Sequence, residues 1–300
     1  MKKVLTNVSI LFDDLENIWK NNKTQKIIWT LMLFSFVLFG FAIEINKIFL
    51  NFYFDMPNEL FYSVIFVFNL ILFYEMIDLI FAISKSFSIA ISKQMEIFSL
   101  ILLRDSFKLV SSVSDKQLYN DVPINFNLLE LLQIFFSSEL FVMILSIFGA
   151  ILVFLTNIKF KENYTKFDEL TMSSELVSFI KLKKLVSLIH IFIVLIFLIW
   201  IFFDERTDID RITNLLSLFF LSLVYVDILH LLISYYFTKD YDLVFRNSSY
   251  SANTLLIRYS ITTSAVLGVF VGVLGCFLLL LTIKIYNTNI TSKIDKLKKV

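Results

Sequence analysis

The apolar residues of this chain are gathered into blocks of about 20, the length a helix needs to cross the hydrocarbon of a bilayer, with charged segments between them. Six blocks fit: about 27–46, 59–83, 132–157, 185–203, 212–237 and 257–285. Composition agrees. The chain is 58% hydrophobic with a mean hydropathy of +0.78, against about 45–50% apolar for a soluble domain. The pattern predicts an all-α, polytopic integral membrane protein with six transmembrane helices, seven being the alternative. The segments are a cytoplasmic N-terminal stretch (1–26), one transmembrane helical domain (27–286) and a basic tail (287–300).

Residues 7–20, NVSILFDDLENIWK, space Val8, Leu11, Phe12, Leu15, Ile18 and Trp19 as one helical face, so an amphipathic helix precedes the first span. It is expected to lie in the membrane interface or to pack on the protein. Residues 93–113 carry Glu96, Arg104, Asp105 and Lys108 around a short apolar core. Each charge near a span's centre costs roughly 2.5–3.5 kcal/mol. This segment is therefore expected to be an interfacial or protein-packed helix, with a seventh span as the alternative.

Charge sets the orientation. Lys2, Lys3, Lys20, Lys23 and Lys26 place the N-terminus in the cytoplasm. Six spans bring the basic tail to the same side but put the lysines of 158–184 outside. Seven spans do the reverse. Each count breaks the charge rule once. No small-residue cleavage site follows the first block, so the first span is expected to direct insertion. The Lys/Asn/Ile/Phe-rich usage, with 5 Gly and 2 Pro, points to a bacterial inner membrane.

Two stretches repeat. SLILLRDSFKLVSS (99–112) is similar to TLLIRYSITTSAVL (254–267), and SIFGAILVFLTNIKF (146–160) to GVLGCFLLLLTIKIY (272–286). YEMIDLI and VDILHLL pair Glu75 with Asp227 and Asp78 with His230. The repeats would span 27–160 and 183–286, as two copies of a three-helix unit related by inversion.

Ionisable residues inside spans are costly and often mark ion or proton paths. The candidates are Glu75, Asp78, Asp227, His230 and His190, with Arg104 and Arg258 as counter-charges or gates. Glu75 and Asp78 share a helix face, as do Asp227 and His230. Structural pairing or siting near the headgroups is the competing account. GVFVG (268–272) places Gly268 and Gly272 on one face, with Gly275 beside them, for close helix packing or self-association. The acidic run DERTDID (204–210) reads as a solvated loop. Two His and one Cys argue against a metal site, and no catalytic or phosphate-binding motif is present. No cofactor is expected. The function expected is a small-ion or proton-conducting channel or transporter, and not an enzyme. The alternative is a non-conducting membrane subunit or sensor acting through a protein partner. The bilayer, a second copy of the chain or another membrane protein are the expected partners; a nucleic acid is not.

Overall fold

The computed structural model describes residues 2–48, 61–115, 139–164, 174–202, 208–237 and 241–297. Among them there are nine helices and no strand. They are α1 (Lys2–Lys20), α2 (Asn22–Ile48), α3 (Phe61–Lys85), α4 (Phe87–Asp115), α5 (Glu139–Tyr164), α6 (Ser174–Phe202), α7 (Asp208–Phe237), α8 (Tyr241–Thr262) and α9 (Ala265–Leu297). Five of them, α2, α3, α5, α7 and α9, are long and apolar enough to cross a membrane. The chain is an all-α, multi-pass membrane protein on that evidence. The expected span at 185–203 falls in α6, whose first half also carries Lys181, Lys183 and Lys184.

Short polar joints define several elements. The Asn21 side chain accepts the Lys23 amide and caps α2. Ser86 alone separates α3 from α4, and its hydroxyl accepts the Ser88 amide. Thr263 and Ser264 separate α8 from α9. The expected block at 257–285 runs across that joint. Its first six residues belong to α8, a polar helix that hydropathy alone does not separate.

From α2 to α9 the chain folds back at every connection. Gln25 meets Tyr74 and Phe39 stacks on Phe66, so α2 and α3 are antiparallel. Lys93 meets Asp78 while Phe107 meets Phe68, so α4 returns along the length of α3. Ser92 reaches Asn157 and Leu102 lies by Gly149, which makes α5 antiparallel to α4. The same holds for α6 and α7 (Phe179 with Phe237, His190 with Ser222), α7 and α8 (Asn247 with Ser234, Arg258 with Asp227), and α8 and α9 (Asp242 with Asn289, Ser249 with Thr282). Eight helices thus alternate in direction. The start of α2, the start of α6 and the ends of α5 and α9 all lie at the end occupied by α1.

Each half of the chain supplies four such helices, α2–α5 and α6–α9. An even number leaves corresponding helices running the same way. Among the described residues, α4 and α8 each add a pass along the bundle to the three helices per copy expected from the sequence.

α4 sits at the centre. Ala90, Ile97 and Ile101 enter a core shared with α3, α6 and α7, and Ile91, Met95, Phe98 and Leu102 enter a second core with α5, α8 and α9. Of the expectations for this segment, the protein-packed helix is the one observed. The small residues of α9 make the second core possible. A Cβ on Gly272 would collide with the Phe98 ring, one on Gly268 with the Ser260 carbonyl, and one on Gly275 would press on α8. The GVFVG run therefore serves packing within the chain.

Gly272→Ala should lower thermal stability in nanodiscs by about 1–3 kcal/mol through overpacking. Gly40→Ala, where nothing lies within 4 Å of the added carbon, should leave the melting temperature unchanged or raised.

Candidate functional site

Folding the chain back at Ser86 brings the acids of α3 level with the first turns of α4. Asp78 lies eight residues before that joint and Lys93 seven after it. The Lys93 ammonium sits 2.6 Å from Glu75 Oε2, 2.8 Å from Asp78 Oδ2 and 3.0 Å from Glu96 Oε2. Lys161 on α5 closes on the other Glu96 oxygen. Three carboxylates and two ammonium groups from three helices thus form one network. Its inner members are shielded, with the side chains of Lys93 and Glu75 18% and 15% exposed.

The second acid–base pair lies on α7 and α8. Arg258 donates to Asp227 Oδ2 at 2.6 Å, and the Thr254 hydroxyl donates to the same oxygen at 3.2 Å. This pairing of Asp227 with Arg258 was among the structural alternatives in the sequence. Its expected counterpart does not form. Arg104 turns to its neighbour Asp105 at 2.8 Å and to Asn69 at 3.4 Å, several turns from Glu75 and Asp78. Lys93 takes the place that Arg104 was expected to fill. The physical reason is reach: Arg104 lies three turns further along α4, level with Asn69.

The histidines separate. His230 is buried against the edge of the Phe87 ring, with Lys183 and His190 within electrostatic reach. Asp227 has turned to α8, so the two do not act as one pair of ligands. His190 is stacked on Phe219 and its Nε2 lies 2.8 Å from Ser222 Oγ. Among the described residues no three His, Cys, Asp or Glu side chains converge as metal ligands. Most of the run 204–210 lies outside the described residues. Lys183, missed in the sequence, is 2% exposed, with its ammonium over the rings of Phe87 and Phe179.

Buried polar side chains extend from these charges along the inner helices. α4 contributes Ser88, Ser92, Gln94, Ser99 and Ser106; α8 contributes Asn247, Asn253, Thr254 and Ser260. A period of three to four in Ser and Asn, on segments that hydropathy alone does not mark as spans, is the signal for these faces in the sequence.

α1 lies across the end of the bundle nearest the Lys93 network. Phe12 and Trp19 pack against Phe81 and Tyr74 of α3. Asp13 binds Lys184 of α6 at 2.6 Å, and Glu16 binds both Lys20 and Lys85. The opposite side presents Leu11, Leu15 and Ile18 outward, and Asn7, Asp14 and Asn17 form a third, polar face. Of the two expectations for this helix, packing on the protein is observed, and an apolar stripe is left outward.

Comparison with known proteins gives no match: no protein family, no curated protein and no solved structure matches the chain.

Burial raises the Glu16 carboxyl, but hydrogen bonds from Lys20 and Lys85 outweigh it and hold the group below its ordinary value of 4.5. A depressed carboxylate stabilises docking fully above that ordinary value and loses its contribution as pH falls through the lower, docked one. Trp19 fluorescence should therefore be constant from neutral pH down to about 4.3 and change only in stronger acid. Glu16→Gln should remove that transition and weaken docking by about 1–2 kcal/mol.

Proposed function

We propose that this protein passes protons or small cations across a membrane and that the network around Lys93 is where they bind. The observation that carries this reading is the set of direct contacts in the network: three carboxylates touch two ammonium groups, while Lys85, within electrostatic reach of Asp78, is held by Glu16 instead. A proton or a monovalent cation is the species that completes the network. Lys93 contacts all three acids, so it can move toward one as another takes up the ion. The polar faces of α4 and α8 supply groups for hydration along the bundle, and the Asp227–Arg258 pair supplies a second charged station. His230 and Lys183 flank that route.

The membrane arrangement that fits is eight crossings, α2 to α9. α4 and α8 are long enough at about 1.5 Å per residue, and their polar faces are turned inward. This count puts most of the basic residues on one side, with Lys47, Lys108, Lys116 and Arg206 at the other. The lysines of α1, the start of α2, the 158–184 segment and the C-terminal tail then share one side, which is the cytoplasmic one. The loop sequences 49–60 and 203–207 on the other side carry Asp55, Glu59, Asp204 and Glu205 against Arg206 alone. The two four-helix halves read as a duplicated unit in a bacterial inner membrane.

A second reading is a non-conducting subunit that acts through a partner. One observation favours it: α2 has 6% of its apolar window buried, and its aromatic flank is left to lipid or to another membrane protein.

Purified protein in liposomes should carry proton or cation flux that falls at least about tenfold (about 1.4 kcal/mol) in Glu75→Gln and in Asp227→Asn, with folding retained. Unchanged flux in both would remove the path assignment, and absence of flux under every gradient would favour the subunit. Single cysteines test the crossings in a Cys276→Ser background. Ser264→Cys should react with an impermeant maleimide on intact cells, and Lys23→Cys and Thr288→Cys only after permeabilisation.

A further inference from the structure

A groove of about 310 Å³ opens between α6 and α7, on the outer flank away from the Lys93 network. Its walls are apolar, built from Val186, Ile193, Phe197, Leu218 and Val226, and its outer lip carries the exposed side chains of Ile189, Leu221, Tyr225 and Leu229. That lip faces where lipid would lie. Its polar lining groups are His190 and Ser222 at the base and the Tyr225 hydroxyl at the lip.

The hydrogen bonds at the base favour the tautomer with hydrogen on Nε2. Ser222 Oγ donates its one hydrogen to the Phe219 carbonyl at 2.7 Å. It must therefore accept from His190 Nε2–H in the 2.8 Å contact. Stacking on Phe219 holds the imidazole plane. A neutral ring with hydrogen on Nε2 leaves Nδ1 as a bare acceptor. His190 is 1% exposed, and Nδ1 has no hydrogen-bond partner among the described residues. A buried acceptor without a donor is costly. In a groove open to the membrane, the donor can come from a ligand.

We infer that the groove is a binding site for an apolar hydroxyl compound, such as a phenol, a quinol or a long-chain alcohol, whose O–H donates to His190 Nδ1. The volume is at the lower end for small-molecule sites, about 300–1,000 Å³, which suits one ring system or a chain end. A ketone, an ether or a plain hydrocarbon chain fits the walls equally well but brings no donor. The selectivity is therefore for the hydroxyl group and not for the apolar body. The groove opens on the flank opposite to the Asp227–Arg258 contact, and His190 at its base lies within electrostatic reach of Arg258 and His230, so the assignment is tested by binding and not by flux.

The test uses the full chain in nanodiscs with isotope-labelled histidine. With only two His in the sequence, a His230→Gln variant assigns the signals. The probes are naphthol and its methyl ether, alike in shape and differing in the donor. Naphthol should shift the His190 ring signals saturably and bind at least about tenfold tighter than the ether. Ile193→Trp, which fills the groove without touching the His190–Ser222 bond, should abolish the response. Ligand-observed binding to His190→Phe should show the two probes equal. Equal affinity of both probes for the unsubstituted protein, or shifts that rise linearly with probe in the bilayer, would overturn the assignment and leave a crevice filled by acyl chains.

Discussion

The Lys93 ammonium is the interaction on which the bundle depends. It holds Glu75 and Asp78 of α3 and Glu96 of α4 together, and Glu96 carries the link on to Lys161 of α5. Charges removed from water are expensive, and ion pairing roughly offsets that cost without adding much net stability. What the network supplies is position. Deleting Lys93 leaves its three carboxylates shielded and uncompensated, a loss of about 3–5 kcal/mol for a buried pair. α3, α4 and α5 are therefore fixed in register at the same level, and the polar faces beyond them follow.

With α4 held there, the rest of the packing has a logic. One side of α4 closes the core with α3, α6 and α7, and the other closes the core with α5, α8 and α9. A helix with apolar residues on two faces and serines between them suits that place. The Phe98 ring needs the space that Gly272 leaves, so the approach of α9 depends on a missing side chain as much as on any contact. α1 then ties the two halves at one end, through Lys85 on α3 and Lys184 on α6.

Much of the architecture was legible in the sequence, and the failures have physical causes. Apolar blocks marked helices because a span's length and hydropathy are local properties. Asp227 with Arg258 was legible as one of the alternatives, since the spacing matched a hairpin. Lys93 was not singled out, because it reads as one more charge that keeps a segment out of the membrane until the one-residue joint at Ser86 is known. α8 was merged into the following block because its end is as apolar as the start of α9. Those two omissions produced the apparent conflict over charge and sidedness. A count short by two helices cannot place both basic segments at one end, whereas eight alternating helices do. His190 was named among the path residues from its place in an apolar block alone. Its neighbours Ser222 and Phe219 come from a different helix and could not be seen from its own segment.

The joints at Ser86 and at Thr263–Ser264 bear on how such a chain is made. α4 and α8 are too polar to partition into lipid alone: Lys93, Glu96, Arg104, Asp105 and Lys108 would each add roughly 2.5–3.5 kcal/mol at mid-depth. A connection of one or two residues leaves neither helix able to wait in water while its apolar neighbour enters. On the eight-crossing arrangement, α3 with α4 and α8 with α9 enter the bilayer as preassembled hairpins. The salt bridges and buried hydroxyls would then form during biosynthesis, before the remaining helices arrive.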